Sequence, residues 1–240
     1  MEGMTATVVG VGFVLGLRHA LDPDHVVAVT TLASQKAGLR RTSLVGAFWG
    51  AGHALSLGAV GGTILLLRLT VSPAVGDALE STVAVMLVVL GAAALRRARS
   101  AKVHAHPHEH DGATHVHFHA HQARAVEGHH HPHPLKGGLR PFVVGLVHGL
   151  AGSAGLALLA LGAAPTFGSG IVYLLVFGLG SIAGMLLLSM LMSVPLAYVE
   201  SRYAALHRGV QVAAGAASLA LGVYLLVEHA AAAGARGWLS

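Results

Sequence analysis

Six long apolar segments restrict what this chain can fold into. They cover residues 5–34, 42–69, 78–95, 140–163, 168–199 and 208–228. A helix that crosses a bilayer needs about 20 mainly apolar residues, and each segment is close to this length or longer. Only 10% of all residues are charged, whereas soluble domains carry about 25%. The pattern therefore predicts an all-α membrane protein with six transmembrane helices.

Basic residues are concentrated in three of the loops between these segments. Most of the 15 Lys and Arg residues follow the first, third or fifth segment. Loops rich in positive charge stay on the cytoplasmic side of a membrane. We therefore expect a multi-pass protein of the inner (plasma) membrane, with these loops in the cytoplasm and both termini outside. Because the charges orient helices in the lipid bilayer, the net charge of +5 does not predict a nucleic-acid partner.

An internal repeat relates the two halves of the chain. Residues 13–21 (FVLGLRHAL) match residues 142–150 (FVVGLVHGL) at six of nine positions, with an offset of 129. The same offset aligns Phe48 with Phe177 and the third apolar segment with the sixth. Since each half has an odd number of spans, the halves should be inverted relative to each other. The predicted units are two three-helix repeats and a connecting loop: residues 1–96, 140–240 and 97–139.

Two histidines and two aspartates lie close together inside the first apolar segment: His19, Asp22, Asp24 and His25. Ionisable groups are costly within a bilayer and are usually retained for a function. Imidazole and carboxylate groups together form a ligand set for divalent transition metals. We therefore predict a metal site here, and the alternative is a structural polar network that holds helices together.

Proline residues mark two points where long helices could break. Pro23 cannot donate a backbone hydrogen bond, and Asp22-Pro23 has the form of an N-cap followed by proline at the first helical position. We predict a helix broken near Asp22, and Pro195 is a second candidate break point. Arg18 lies four residues before Asp22 and can pair with it, which makes Asp24 the stronger ligand candidate.

Two further histidines, His53 and His148, lie deep in apolar segments, and His148 is the repeat equivalent of His19. A single histidine in an apolar helix is more often a hydrogen-bonded core residue than a ligand. The symmetry favours both as metal ligands. The second half lacks the acidic residues of the first, so the predicted site is asymmetric. We expect Ser153 and Ser181 to be packing residues, with ligand orientation as the alternative.

The loop between the halves has low complexity and is rich in histidine. It contains twelve of the 18 histidines: His104, His106, His108, His110, His115, His117, His119, His121, His129, His130, His131 and His133. Because it has little apolar material for a core, we expect disorder. Dense imidazoles bind nickel, cobalt, copper or zinc, so we predict auxiliary metal capture; the alternative is a solvated linker.

Several classes of function are disfavoured by what the sequence lacks. It has no cysteine, which excludes disulfides and thiolate metal sites and disfavours a pump built on soft sulfur ligands. It has no GxxxxGK(S/T) phosphate-binding loop. It also has no HExxH-type motif, so we expect no enzyme activity and no bound cofactor. An intramembrane metalloenzyme and a metal-sensing or storage protein remain alternative functions.

The first motif, Arg18-His-Ala-x-Asp-x-Asp-His25, resembles the signature of the nickel/cobalt transporter (NiCoT) family. Residues 48–57 resemble that family's second motif, and residues 147–154 are similar to its shorter branch, the urease-accessory nickel permeases. The resemblance implies a secondary permease with Ni²⁺, and also Co²⁺, as transported substrate. It implies that His19, Asp24 and His25 are required for transport. It also implies a cytoplasmic nickel chaperone or the urease maturation proteins as candidate partners.

The expected direction of transport is uptake. An inside-negative membrane potential contributes about 2.3 kcal/mol per charge per 100 mV, so about 4.6 kcal/mol for a divalent cation. This term favours entry into the cell and opposes export. The alternative is efflux, because the histidine-rich loop also resembles that of the nickel/cobalt efflux relatives.

Overall fold

The computed structural model describes residues 2–35, 39–100, 102–110, 113–121, 138–151 and 166–237. These ranges contain seven helices and one antiparallel β-hairpin. The helices are α1 (Glu2–His19), α2 (Pro23–Ala33), α3 (Leu39–Leu67), α4 (Pro73–Ser100), α5 (Gly138–Ala151), α6 (Phe167–Arg202) and α7 (Ala204–Gly237). The hairpin consists of β1 (Lys102–His110) and β2 (Ala113–His121).

Four of the described helices are long and apolar enough to cross a membrane: Leu39–Leu67, Pro73–Ser100, Phe167–Val199 and Ala205–Gly234. Large apolar side chains on their outer faces, such as Leu66 and Leu191, are exposed, as expected for contact with lipid. Val9–His19 and Gly138–Ala151 are shorter apolar helices. The predicted fourth segment continues to residue 163, and residues 152–163 lie outside the described residues. The chain is thus a helical membrane protein.

The predicted break in the first apolar segment is confirmed. Helix α1 ends at His19, α2 begins at Pro23, and Asp22 between them is extended, with φ −60° and ψ 143°. The backbone N–H of Asp22 donates to the His19 carbonyl over 3.1 Å, which closes the end of α1. Proline then starts α2 at a position where its missing N–H has no cost. At the break Ala20 and His25 are buried, whereas Leu21 and Pro23 are exposed.

The second predicted break point was wrong, because Pro195 lies inside the continuous helix α6. Proline removes one backbone hydrogen bond from a helix. Transmembrane helices tolerate this loss where nearby hydroxyl groups and neighbouring helices satisfy the freed groups. Pro195 leaves the Leu191 carbonyl without its usual donor. The Ser193 hydroxyl donates to the neighbouring Met190 carbonyl over 2.6 Å.

Glycines allow helix backbones to approach closely around the break. On α1, Gly12 packs against Tyr173 of α6, and Gly16 packs against the Phe177 carbonyl. The contacts advance by four residues on both helices, so α1 and α6 run parallel. This close approach relies on small residues at the interface, and it holds the end of α1 against the middle of α6.

Helices α3 and α5 pack closely at glycines in the same way as α1 and α6. Gly145 packs against Trp49, and Gly149 packs against the His53 backbone. These contacts also advance together, so α3 and α5 run parallel. Helix α4 packs against α7, where Gly91 meets the Gly215 carbonyl. The result is a bundle in which α3 contacts both α5 and α6.

Several described basic residues lie at one end of the bundle, which we call the basic end: Arg40, Arg41, Arg97 and Arg140. The side-chain oxygen of Gln35, just after α2, accepts hydrogen bonds from Arg97 over 2.8 Å and Arg140 over 3.1 Å. The Gln211 side chain of α7 donates to the Ser34 carbonyl over 2.8 Å. These bonds tie the end of α2 to α4, α5 and α7.

The histidine-rich segment differs from the expected disorder where the structure describes it. Strands β1 and β2 pair in an antiparallel register, with His106 opposite His117. Histidine at every second position is a period that suits a strand. The intervening Asp111-Gly112 sequence is a strong hairpin signal. His129, His130, His131 and His133 lie outside the described residues.

Candidate metal centre

Four imidazole rings meet at the break between α1 and α2. They come from four helices: His19 ends α1, His25 lies in the first turn of α2, His53 in α3 and His148 in α5. The centroid of the His25 ring lies 4.0 Å from that of His148, 4.5 Å from that of His19 and 5.2 Å from that of His53. His25, His53 and His148 are buried. The predicted site residues are thus adjacent, and their role as metal ligands stays a prediction.

Asp24 links two of these imidazoles. Its Oδ2 lies 2.8 Å from His148 Nε2, and its Oδ1 lies 3.1 Å from His25 Nδ1. The His25 backbone N–H also donates to Oδ1 over 3.0 Å. An ionised carboxylate can only accept hydrogen bonds. With Asp24 ionised and both rings neutral, each ring donates through the nitrogen that faces the carboxylate, Nδ1 in His25 and Nε2 in His148, and its other nitrogen has a lone pair.

Asp22 has a similar relation to His19. Its Oδ2 lies 2.7 Å from His19 Nδ1, so the Nε2 atom of His19 carries the free lone pair. Asp22 pairs with His19, and not with Arg18 as the four-residue spacing would also allow, because the break turns Asp22 back toward His19, while Arg18 is exposed. Asp22 therefore does not cap α2 with its side chain. Carboxylates in this position orient histidines that bind metals.

Two overlapping groups of side chains could hold an ion. The three-histidine set consists of His19, His25 and His53, and the aspartate set consists of Asp24, His25 and His148. In each set the potential ligand atoms lie within 4.8 Å of one another. Within the described part of the chain, His19 Nε2, His25 Nε2 and both nitrogens of His53 have no hydrogen-bond partner. Buried polar atoms without partners are rare and costly, and a divalent metal would satisfy several at once.

Sequence reasoning missed two aromatic neighbours of this cluster. The Trp49 ring is stacked with the His25 ring, with centroids 5.9 Å apart and 3° between the planes. The Phe177 ring lies 5.4 Å from His19. Trp49 is four residues before His53 and thus on the same helix face, a spacing that could have identified it. The two rings help to enclose the imidazoles on the α3 and α6 sides.

Three further polar residues bear on the site: the predicted packing residues Ser181 and Ser153, and His229 of α7. Ser181 is fully buried, and its hydroxyl has no partner among the described residues. Ser153 lies outside the described residues. His229 lies away from the cluster, where its Nε2 is 3.0 Å from Glu80 of α4.

Long apolar helices around three buried imidazoles, with His19 and two partly exposed carboxylates beside them, define a membrane protein with a potential transition-metal centre. The chain is 32% identical over 220 residues to the urease accessory protein UreH of Bacillus sp. (strain TB-90). The match covers 92% of this chain and 90% of the relative. The chain therefore belongs to the UreH family of urease accessory proteins. No family model and no solved structure matches it.

Proposed function

We propose that this protein is a secondary permease that moves Ni²⁺, and also Co²⁺, through the inner membrane in the direction of uptake. The main support is the three-histidine set, whose buried nitrogens lack partners at the centre of a helical membrane protein. The relative is named a urease accessory protein. The resemblance of this chain to the urease-accessory nickel permeases implies that nickel is the transported metal. The metal is the transported substrate, and no cofactor is proposed.

In this proposal the three-histidine set binds the ion. His19 and His25 contribute Nε2, because Asp22 and Asp24 occupy their Nδ1 atoms. His53 contributes one of its two free nitrogens. Imidazole ligands suit nickel and cobalt, whereas magnesium and calcium prefer oxygen. Asp24 and His148 then act together, with Asp24 compensating the charge of the ion and His148 holding Asp24.

The helix contacts support an arrangement of two inverted three-helix repeats. The contact of Gly16 with Phe177 has a counterpart in that of Gly145 with Trp49. Gly145 lies 129 positions after Gly16, which equals the sequence offset, and Phe177 lies 128 after Trp49. Inverted repeats with a broken helix at the substrate site are typical of transporters that work by alternating access. The ion would bind where the repeats meet.

The histidine-rich loop has a separate role in the proposal. We place the basic end and this loop in the cytoplasm, and both termini outside. There the loop binds Ni²⁺ and hands it to a nickel chaperone or to urease maturation proteins. The same loop is the observation that favours efflux as a second candidate function, since it could collect metal for export.

The test is Ni²⁺ flux into liposomes that contain only the purified protein, followed with a metal-sensitive dye inside. Flux that rises with an inside-negative potential supports uptake through a permease. The His25→Gln variant should abolish the flux, whereas His229→Gln, outside the cluster, should leave it unchanged. Absence of flux in the unmodified protein would contradict the proposal and favour the metalloenzyme or sensor alternatives. Uptake by cells that overproduce or lack the protein separates import from export.

A further inference from the structure

Helix α6 buries one face that begins beside the imidazole cluster. Phe177, which contacts the His19 ring, is followed at intervals of four residues by Ser181, Met185, Ser189 and Ser193. We call these last four residues the serine face. Each is at most 1% exposed, and residues four apart lie on one side of a helix. The serine face therefore extends from the cluster toward the C-terminal end of α6.

Two hydroxyl groups on this face are unusual. Hydroxyls inside helices commonly donate to the carbonyl four residues earlier, as Thr30 does to Val26 over 2.7 Å and Thr31 to Val27 over 2.8 Å. Ser181 and Ser189 have no hydrogen-bond partner within the described ranges. An unsatisfied buried hydroxyl costs about 1–3 kcal/mol. Alanine would fill the same space without this cost, so packing alone does not explain serine here.

Near Met185 and Ser189, the serine face packs against α3, which runs antiparallel to α6. Gly46 packs against the Ser189 side chain and the Met185 carbonyl, and Gly50 packs against Ile182. The indole N–H of Trp49, which stacks on His25, also has no partner among the described residues. The contact between α3 and α6 is closed at Ser189, whereas the backbone of Ser181 lies against Gly16 of α1 and the Trp49 ring lies against Gly145 of α5.

Along α6, the serine face extends from the imidazole cluster toward the basic end of the bundle. Helix α3 begins at Leu39, at the basic end, and His53 lies fourteen residues farther along it. Ser189 lies against Gly46, between these two levels. A polar route of this kind would connect the imidazole cluster with the side on which the basic residues lie.

We propose that the ion passes between α3 and α6 along Ser181 and Ser189 when these helices separate. The inference rests on the proposed function and adds the route between the cluster and the basic end. In the separated state the hydroxyl oxygens replace part of the hydration shell of the moving ion, which gives a reason for serine at positions where the closed state offers no hydrogen-bond partner.

The absence of native cysteine permits a direct test. Ser189→Cys should react with a membrane-impermeant, charged thiol reagent in liposomes during Ni²⁺ transport. The matched control is Leu187→Cys, two residues away on the lipid-facing side of α6, where Leu187 is 59% exposed. We expect Ser189→Cys to react at least about tenfold faster, and a charged adduct there to block flux. Equal reaction rates of the two variants would overturn the route.

A second measurement concerns the hydroxyls themselves. Ser181→Ala and Ser189→Ala should lower Ni²⁺ flux about three- to tenfold, the effect of about one hydrogen bond on a barrier, and leave equilibrium Ni²⁺ binding unchanged. Ser218→Ala is the control, because this buried serine donates to the Leu87 carbonyl away from the route. Flux equal to that of the unmodified protein in both alanine variants would overturn the role of the hydroxyls. Absence of flux in the unmodified protein would instead reject the permease itself.

Discussion

Asp24 and His148 join α2 to α5 through a 2.8 Å contact between Oδ2 and Nε2. The two residues are 124 positions apart. Through the other oxygen of Asp24 the same carboxylate holds His25. One acidic side chain therefore contacts two imidazoles that belong to different halves of the chain.

The Asp24→Asn variant should keep the fold and weaken Ni²⁺ binding. An amide has only one accepting oxygen, so one of the two imidazoles loses its partner and its fixed proton position. Loss of such an orienting carboxylate costs about 10- to 100-fold in metal affinity. Isothermal titration of the purified protein would measure it. Unchanged affinity in Asp24→Asn would show that this carboxylate does not act on the bound metal.

Glutamine at two histidine positions distinguishes the two donor sets. His53→Gln removes a member of the three-histidine set, whereas His148→Gln removes a member of the aspartate set. If the three-histidine set holds the ion, His53→Gln should abolish Ni²⁺ binding by a protein that lacks the histidine-rich residues 104–133. In the same shortened protein, His148→Gln should reduce affinity only about tenfold. X-ray absorption at the nickel edge would count the nitrogen ligands in each variant. The reverse order of effects would assign the ion to the aspartate set.

Alanine at close-packed glycines should destabilise the bundle. A Cβ atom at Gly16 would meet the Phe177 carbonyl, and one at Gly145 would meet the Trp49 carbonyl. Overpacking of this kind costs about 1–3 kcal/mol. Gly58→Ala and Gly62→Ala are matched controls, because nothing lies within 4 Å of an added Cβ there. Thermal unfolding in detergent should show lower midpoints for the first pair only; equal midpoints in all four would contradict the packing.

Metal binding should weaken at acidic pH. Imidazole binds a metal only in its neutral form, so protons compete with the ion. With an ordinary histidine pKa of about 6.5, three imidazole ligands make Ni²⁺ affinity fall steeply once the pH drops below the range in which they are neutral. Ni²⁺ titrations at several pH values between 7.5 and 5 would measure the affinity. A pH-insensitive dye would report Ni²⁺ flux over the same range. Constant affinity over this range would argue against histidine ligands.

Removal of the histidine-rich loop separates transport from metal capture. A protein without residues 104–133 should still carry Ni²⁺ into liposomes, because the three-histidine set lies within the helices. It should bind fewer Ni²⁺ ions per chain than the full-length protein, since the segment holds twelve histidines. Flux and binding stoichiometry are the two measurements. Complete loss of flux, in a variant that still folds, would favour the sensor or storage function.

Features with local causes could be predicted from the sequence. The length and composition of α3, α4, α6 and α7 follow from their apolar runs. The break at Pro23 follows from its missing N–H and from Asp22 before it. The same local reasoning was wrong at Pro195, since whether a proline interrupts a membrane helix depends on what surrounds the freed carbonyl. In the histidine-rich loop the low apolar content predicts disorder, whereas histidine at every second position has the period of a strand, and the described residues form the hairpin.

The sequence by itself determined that two imidazoles and two carboxylates stand at a helix break within an apolar segment, because adjacent residues impose this on the backbone. The tertiary structure alone decided which atoms are free to bind. Asp22 turned to His19 instead of Arg18, and Asp24 found His148 on α5. Hydrogen bonds between distant helices fix the ring nitrogens, and they depend on packing distances that no local pattern of residues contains.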